Sequence, residues 1–112
     1  SMTEGVLVID NDHKLLMIND SALSYLDIHM DSPIGKTTDK VIKDHNFLSF
    51  LHRLSRKHEA LIDEIRIKKN TDRFFLVNGT ILQGEQPSVL VVMSDITKLK
   101  QLEKILIKSL HD

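Results

Sequence analysis

A chain of 112 residues with 15 Lys plus Arg against 16 Asp plus Glu has room for one domain with one modest core. Its near-zero net charge argues against nucleic acid, whose phosphates demand a basic face. The absence of cysteine excludes zinc–thiolate and iron–sulfur sites and any thiol adduct of a flavin or chromophore. It also favours the reducing cytoplasm over an extracellular setting, where a domain this small usually carries disulfides. No apolar run approaches the roughly 20 residues that cross a bilayer, and no secretory signal is visible, so no membrane contact by this chain is expected. The sequence opens on Ser1-Met2-Thr3-Glu4 and stops inside a helical pattern. It therefore reads as a fragment of a longer protein, one that a membrane segment elsewhere can anchor.

In chain order, Gly5–Ile9 and Leu15–Ile18 are short apolar runs joined by Asp10-Asn11-Asp12-His13, which predicts a β-hairpin with an Asn/Asp turn. Asn19, Asp20 and Ser21 are good helix N-caps, and Ala22, Leu23, Tyr25 and Leu26 follow as a short helix. Residues 27–46 are mixed and polar, with Ser32-Pro33-Ile34-Gly35 as a turn; loop and one or two short helices are expected there. Between Phe47 and Arg56 the apolar residues Phe47, Phe50, Leu51 and Leu54 recur at i, i+3, i+4 and i+7, one buried helical stripe. Three strands follow, at Leu61–Lys68, Arg73–Leu82 and Ser88–Ser94, separated by Lys69-Asn70-Thr71-Asp72 and Gln83-Gly84-Glu85-Gln86-Pro87, both with turn chemistry. Helices grouped between two blocks of strands predict an α+β domain with one five-stranded antiparallel sheet, the short helices lying on one face.

Two of the strands are apolar at successive positions, Val6-Leu7-Val8-Ile9 and Val89-Leu90-Val91-Val92-Met93. A half-exposed strand alternates, so both sheet faces are expected to be covered there, one by the helices and the other by a flanking helix or a second subunit. The Glu64–Arg66 and Lys68-Lys69 charges read as a solvated strand edge that discourages stray pairing. After Asp95, Leu99, Leu102 and Leu106 step by three and four, with Ile105 and Leu110 beside them and Lys98, Lys100, Gln101, Glu103, Lys104 and Lys108 between. That is a coiled-coil stripe, too short to be stable alone. It predicts a two-stranded linker over residues 96–112 after a domain over 1–95.

The order β-β-α-α-α-β-β-β resembles the PAS fold, and local phrases do too. Glu4-Gly5-Val6-Leu7-Val8-Ile9-Asp10 resembles the opening strand of bacterial PAS domains. Ile18-Asn19-Asp20-Ser21-Ala22 resembles the strand-to-helix junction, and Ile34-Gly35-Lys36 the mid-domain turn. Asp95-Ile96-Thr97, followed by Lys98-Leu99-Lys100-Gln101-Leu102-Glu103, is similar to the D-I-T signature that closes the last strand and starts the signalling helix. The resemblance covers nearly the whole chain. It implies a sensory and dimerisation module that pairs through a sheet face and the C-terminal helix. A signal then passes to an output domain through Asp95, Ile96 and Thr97. Independently of it, Asp95 and Thr97 stand where a strand turns into a helix, and each can accept a hydrogen bond from a first-turn N–H.

PAS relatives hold haem, flavin, small acids or nothing. A haem ligand would come from the helix before the three-stranded block, where His52 and His58 stand, with His45 just ahead. At 100° per residue His52 lies about 140° from Phe47, toward solvent, whereas His58 lies about 20° from it but at or past the helix end; neither reads as a ligand. A flavin pocket wants aromatic partners, and the chain has no Trp and one Tyr. No cofactor is expected, only a pocket lined by Leu, Ile, Phe and Met that either fills itself or admits a small apolar ligand. Met17, Met30 and Met93 are candidate filler. No phosphate loop, nucleophile elbow or metal motif is present, so the chain is not expected to be an enzyme. Its last residues, Lys108-Ser109-Leu110-His111-Asp112, resemble the start of a sensor histidine kinase phosphoacceptor box, with His111 as the phosphorylated residue. Diguanylate cyclases often begin with a similar phrase, but there a Leu is expected where Lys108 stands, and the gap from Asp95-Ile96-Thr97 is one residue short. A kinase parent is the favoured expectation, a cyclase or another PAS-linked regulator the alternative, and a five-residue match also arises by chance.

Overall fold

A computed structural model of the chain describes residues 3–68 and 70–111. Ser1, Met2, Lys69 and Asp112 lie outside the described residues. With them go the first residue of the Lys69–Asp72 turn and the acid of the Leu110-His111-Asp112 phrase. The elements are β1 (Gly5–Ile9), β2 (Leu15–Ile18), α1 (Asp20–Tyr25), α2 (Thr38–Val41), α3 (His45–Lys57), β3 (Leu61–Lys68), β4 (Asp72–Leu82), β5 (Ser88–Asp95) and α4 (Thr97–His111). The strands form one antiparallel sheet in the order β2-β1-β5-β4-β3. This is the α+β architecture that the sequence pattern predicts.

Local chemistry sets the helix limits. α3 begins two residues before Phe47 because Asp44 caps it, accepting the Phe47 amide at 2.8 Å. It closes at His58, which adopts the left-handed conformation (φ 55°) and donates its N–H to the Leu54 carbonyl at 3.2 Å, a C-terminal turn of the αL kind. Asn19 caps α1 by accepting the Ala22 amide at 3.0 Å, and the same oxygen accepts the Val6 amide at 2.9 Å. One side chain thus ties the start of α1 to β1.

The helices pack on one face of the sheet. Phe47, Phe50 and Leu54 of α3 meet the inward row of the strands, where Leu7, Phe75, Val77, Val91 and Met93 are fully buried. A Cβ on Gly79 would stand 2.6 Å from a Leu54 methyl and 3.3 Å from the Phe50 ring, so the bare backbone of β4 is what lets α3 come down onto the sheet. Of the three methionines expected as filler, only Met93 lies in the core; Met17 and Met30 point to solvent. Both are on the rim of the domain, where flexibility fills nothing.

The opposite face differs from the expectation of cover on both sides. β1 alternates between buried and half-buried positions, and on β5 Leu90 and Val92 are half-buried beside buried Val91 and Met93. Ile62 and Leu76 on the same outer face are 62% and 40% exposed. Of the described helices, α4 reaches this face at Lys100, which pairs with Glu64 of β3, but it has no buried residue and is exposed from Gln101 to His111. The molecule measures 56 × 31 × 26 Å, the shape of a compact body with a projecting helix.

Candidate functional site

The start of β1 lies beside the place where α4 departs. β1 and β5 are neighbours in antiparallel register, with Gly5 opposite Met93, so Thr3 and Glu4 lie beside Ser94 and Asp95. The Glu4 carboxylate accepts from the Ser94 hydroxyl at 2.9 Å, and the Glu4 carbonyl accepts from the Asn19 amide side chain at 2.9 Å.

Ile96 is the pivot. Its N–H still belongs to the sheet, donating to the Phe74 carbonyl of β4 at 2.8 Å, while its carbonyl already belongs to the helix, accepting the Lys100 amide at 2.9 Å. Asp95 and Thr97 clasp it from either side. One Asp95 oxygen accepts from the Thr97 amide at 2.9 Å and from the Thr97 hydroxyl at 2.6 Å, satisfying an orphan donor of the first turn. The other oxygen is ion-paired with the Arg73 guanidinium. The Thr97 hydroxyl oxygen does not cap its own helix, as the sequence suggests; it accepts the Phe74 amide of β4 at 2.9 Å, because β4 lies alongside and offers an N–H at the end of the ladder. Partial burial alone would raise the Asp95 carboxyl, but the hydroxyl and amide of Thr97 and the charge of Arg73 outweigh it and hold it below the ordinary value.

Two further contacts widen the clasp. Arg73 sits over the rings of Tyr25 and Phe75, 5.3 and 5.7 Å from their centroids, a cation–π arrangement. Tyr25 packs on Phe75 at 4.9 Å and donates its hydroxyl to the Thr3 carbonyl. One turn along α4, the Lys100 ammonium lies 3.1 Å from Glu64 of β3 and 3.4 Å from Glu103. The Glu64 bond foremost holds that ammonium above its usual value, with the charge of Glu103 adding to it. Glu64 is therefore a tie to α4, not merely an edge charge. The sequence reading assigned none of Arg73, Tyr25, Glu64 and Lys100 to the strand–helix junction.

Beyond the clasp the stripe stands free: Leu99, Leu102, Ile105, Leu106 and Leu110 are 52–84% exposed, and His111 is exposed at the helix end. His45, His52 and His58 are exposed too. His52 opens on a broad surface groove with His13 and His45, and His58 lines a cleft of about 70 Å³ between α3 and the ends of β1, β4 and β5. Leu54, Ile9 and Val89 form the floor of that cleft. The space between α3 and the sheet centre is filled by Phe47, Phe50, Phe75 and Leu54 themselves. Among the described residues no group of three or more His, Asp or Glu is placed to hold a metal ion, and no helix is long and apolar enough to cross a membrane.

No protein-family model matches the sequence, and no curated protein matches it. Solved structures do. The PAS domain of BvgS from Bordetella pertussis superposes with a TM-score of 0.68 at 16% identity, covering 98% of this chain and 89% of that one. The PAS domain of nitrogen regulation protein NR(II) from Vibrio parahaemolyticus gives 0.63 at 15% identity, over 86% and 92%. The chain has the PAS fold. A further match, in the DhaR(N)–DhaL complex of E. coli, has a TM-score of 0.66 at 15% identity; it covers 84% of this chain, which spans about a third (32%) of that one. In the PAS fold described here, the sheet, its helical cover and the projecting α4 are all present, and the clasp lies where the fold's last strand becomes its terminal helix.

Proposed function

We propose that this chain is a sensory and dimerisation module that relays a signal through α4 to an output domain, in the cytoplasm and without catalysing a reaction itself. One observation carries the proposal: α4 is fastened at its root by hydrogen bonds and an ion pair and is unpacked beyond it. A helix held that way turns a small shift between β4 and β5 into a tilt or rotation of its far end. An exposed leucine stripe on such a helix fits a second copy of the same helix, and the half-covered outer face of the sheet supports pairing at the body as well.

The output domain is proposed to be a protein-histidine kinase, with His111 on the exposed helix as phosphoacceptor. The presence of a PAS domain from a two-component sensor histidine kinase among the structural neighbours supports it. Sedimentation of the chain against a version ending at Asp95 tests the dimer. A dimer that loses affinity on truncation is expected, and a monomer well above micromolar concentration in both overturns the reading. Asp95→Ala in the parent protein tests the relay, since output that still tracks the stimulus would leave the clasp without a role.

A second reading, a sensor of a small apolar ligand, rests on the cleft beside His58. At about 70 Å³ it holds a few heavy atoms, well short of the roughly 150 Å³ that admits benzene. Native mass spectrometry that finds a bound small molecule would move the input of the relay to this cleft; the self-filled core favours an empty one, with no cofactor.

A further inference from the structure

An open sheet has two edges, and an unpaired edge is a template for another strand. The two edges here are closed by different means. At β2 the main chain does it: Leu15 donates its N–H to the Lys36 carbonyl at 2.9 Å and accepts the Gly35 amide at 2.7 Å, and Thr38 donates to the His13 carbonyl at 2.9 Å. At the other end of the sheet stands β3, eight residues long. Arg66 lies opposite Phe74, and both backbone groups of Phe74 turn the other way, its N–H to the Thr97 hydroxyl and its carbonyl to Ile96. The two are therefore a non-hydrogen-bonded pair, and the backbone groups of Ile62, Glu64 and Arg66 face out from the sheet.

Side chains take two of those groups. The Arg66 carbonyl accepts the Asn46 side-chain amide of α3 at 2.7 Å. The Glu64 N–H donates to one Asp63 oxygen at 2.8 Å, while the other Asp63 oxygen accepts from Arg53 of α3 at 2.7 Å. Asp63 also stands on the inner row of β3, half-buried between Leu61 and Ile65, where a second strand laid alongside would bury its charge. Asn46 and Arg53 are seven residues apart and so lie on one side of α3. The side chains of Glu64 and Arg66 instead project from the outer face, clear of the plane in which an added strand would bond.

We propose that α3 acts as a latch on the β3 edge: Asn46, together with Asp63 held by Arg53, closes the edge against strand addition, and removing them turns β3 into an acceptor for an extended segment. In a pure sample that segment is β3 of a second copy, running antiparallel. Centred on Ile65, such a pair sets Glu64 of each copy opposite Arg66 of the other, a match of charges. The latch prevents this assembly and leaves association to other surfaces of the chain.

Asn46→Ala combined with Asp63→Ala opens the edge without touching the ladder to β4 or any fully buried side chain. By sedimentation the double variant should form larger assemblies than the wild type at the same concentration. Adding Ile62→Pro should return it to the wild-type state, because proline at an outward-facing N–H removes an edge donor and spares the ladder. Urea unfolding checks that each variant keeps its fold. A folded double variant that assembles no further than the wild type overturns the latch, and so does assembly indifferent to Ile62→Pro. Amide exchange gives a reading that needs no association and decides the matter if the double variant unfolds. In Asp63→Ala alone, the Glu64 amide loses a charged acceptor and should exchange about tenfold faster, with the Ile65 amide protected as before. A Glu64 amide that exchanges as in the wild type overturns the proposal.

Discussion

The inner face of the sheet and the C-terminal helix are built from the same residue types and have opposite fates. Phe47, Phe50 and Leu54 at helical spacing on α3 are at most 1% exposed, whereas Leu99, Leu102 and Leu106 at the same spacing on α4 are more than half exposed. The difference is in what the backbone offers. Beneath α3, Gly79 leaves the surface of β4 bare, so the helix settles within contact distance of the sheet. α4 is instead turned outward at Ile96, where its ties are polar and confined to its first turns. One stripe is a core and the other an unmet surface, and only the first contributes to the stability of the single chain.

The largest test of that contrast is Phe50→Ala. Removing a fully buried ring leaves a cavity and is expected to cost about 3–5 kcal/mol in urea unfolding, a large share of the 5–15 kcal/mol typical of a domain. Leu106→Ala, measured at high dilution, is expected to change unfolding by less than about 0.5 kcal/mol, as exposed positions do. Comparable losses at the two sites would mean that α4 packs on its own domain and that the contrast is false.

Asp95→Ala acts on the boundary between the two regions. It frees the Thr97 amide and the Arg73 guanidinium, and losing a helix-terminal acceptor costs about 1 kcal/mol. The loss should be local: faster amide exchange over the first turn of α4, with Phe75 and Val77 protected as before. The same clasp gives a pH dependence of definite sign. The folded-state pKa of Asp95 is depressed, so its contribution is fully present above the ordinary aspartate value of about 3.9 and is lost as pH falls through the lower folded value. Thr97 exchange should accelerate in that acid window in the wild type, and Asp95→Asn should remove the step. A Thr97 amide indifferent to both changes would show that the carboxylate does not hold the helix root.

How far the sequence showed these two regions follows from the range of the interactions. Both leucine-type stripes were legible because helical spacing is local, and the strands were legible from their turns and β-branched runs. Asn19 and Asp95 were legible as caps because a cap serves its own chain neighbours. What the sequence hid is non-local. Arg73 reaches Asp95 across 22 residues, and Glu64 reaches Lys100 from another strand; both pairings exist only once the β3-β4-β5 register is fixed. The same register places the Phe74 amide against Thr97, which is why a residue with the look of a helix cap turned out to be a tie to the neighbouring strand. Full cover of both sheet faces was inferred from apolar runs, and those runs do not distinguish a face covered within the chain from one left for a partner.

The smallest expected effect is the most specific. Glu64→Gln removes one partner of a solvent-exposed ion pair, and such pairs contribute little to global stability, so the urea midpoint should not move. What should move is α4: without the pull of β3 on Lys100, exchange around that residue should quicken. Salt should do the same to the wild type, since exposed pairs are screened over a Debye length of about 8 Å at physiological ionic strength. The Lys100 ammonium is stabilised in the fold, so on the alkaline side this tie persists through neutral pH and is lost as pH rises through the raised folded value, above the ordinary lysine value of about 10.4. If neither Glu64→Gln nor salt changes α4 exchange, the rotational setting of the helix comes from the clasp at Asp95 alone. If both do, β3 and β4 hold the helix at two separate points, and a change in either strand can turn the exposed stripe without disturbing the core beneath it.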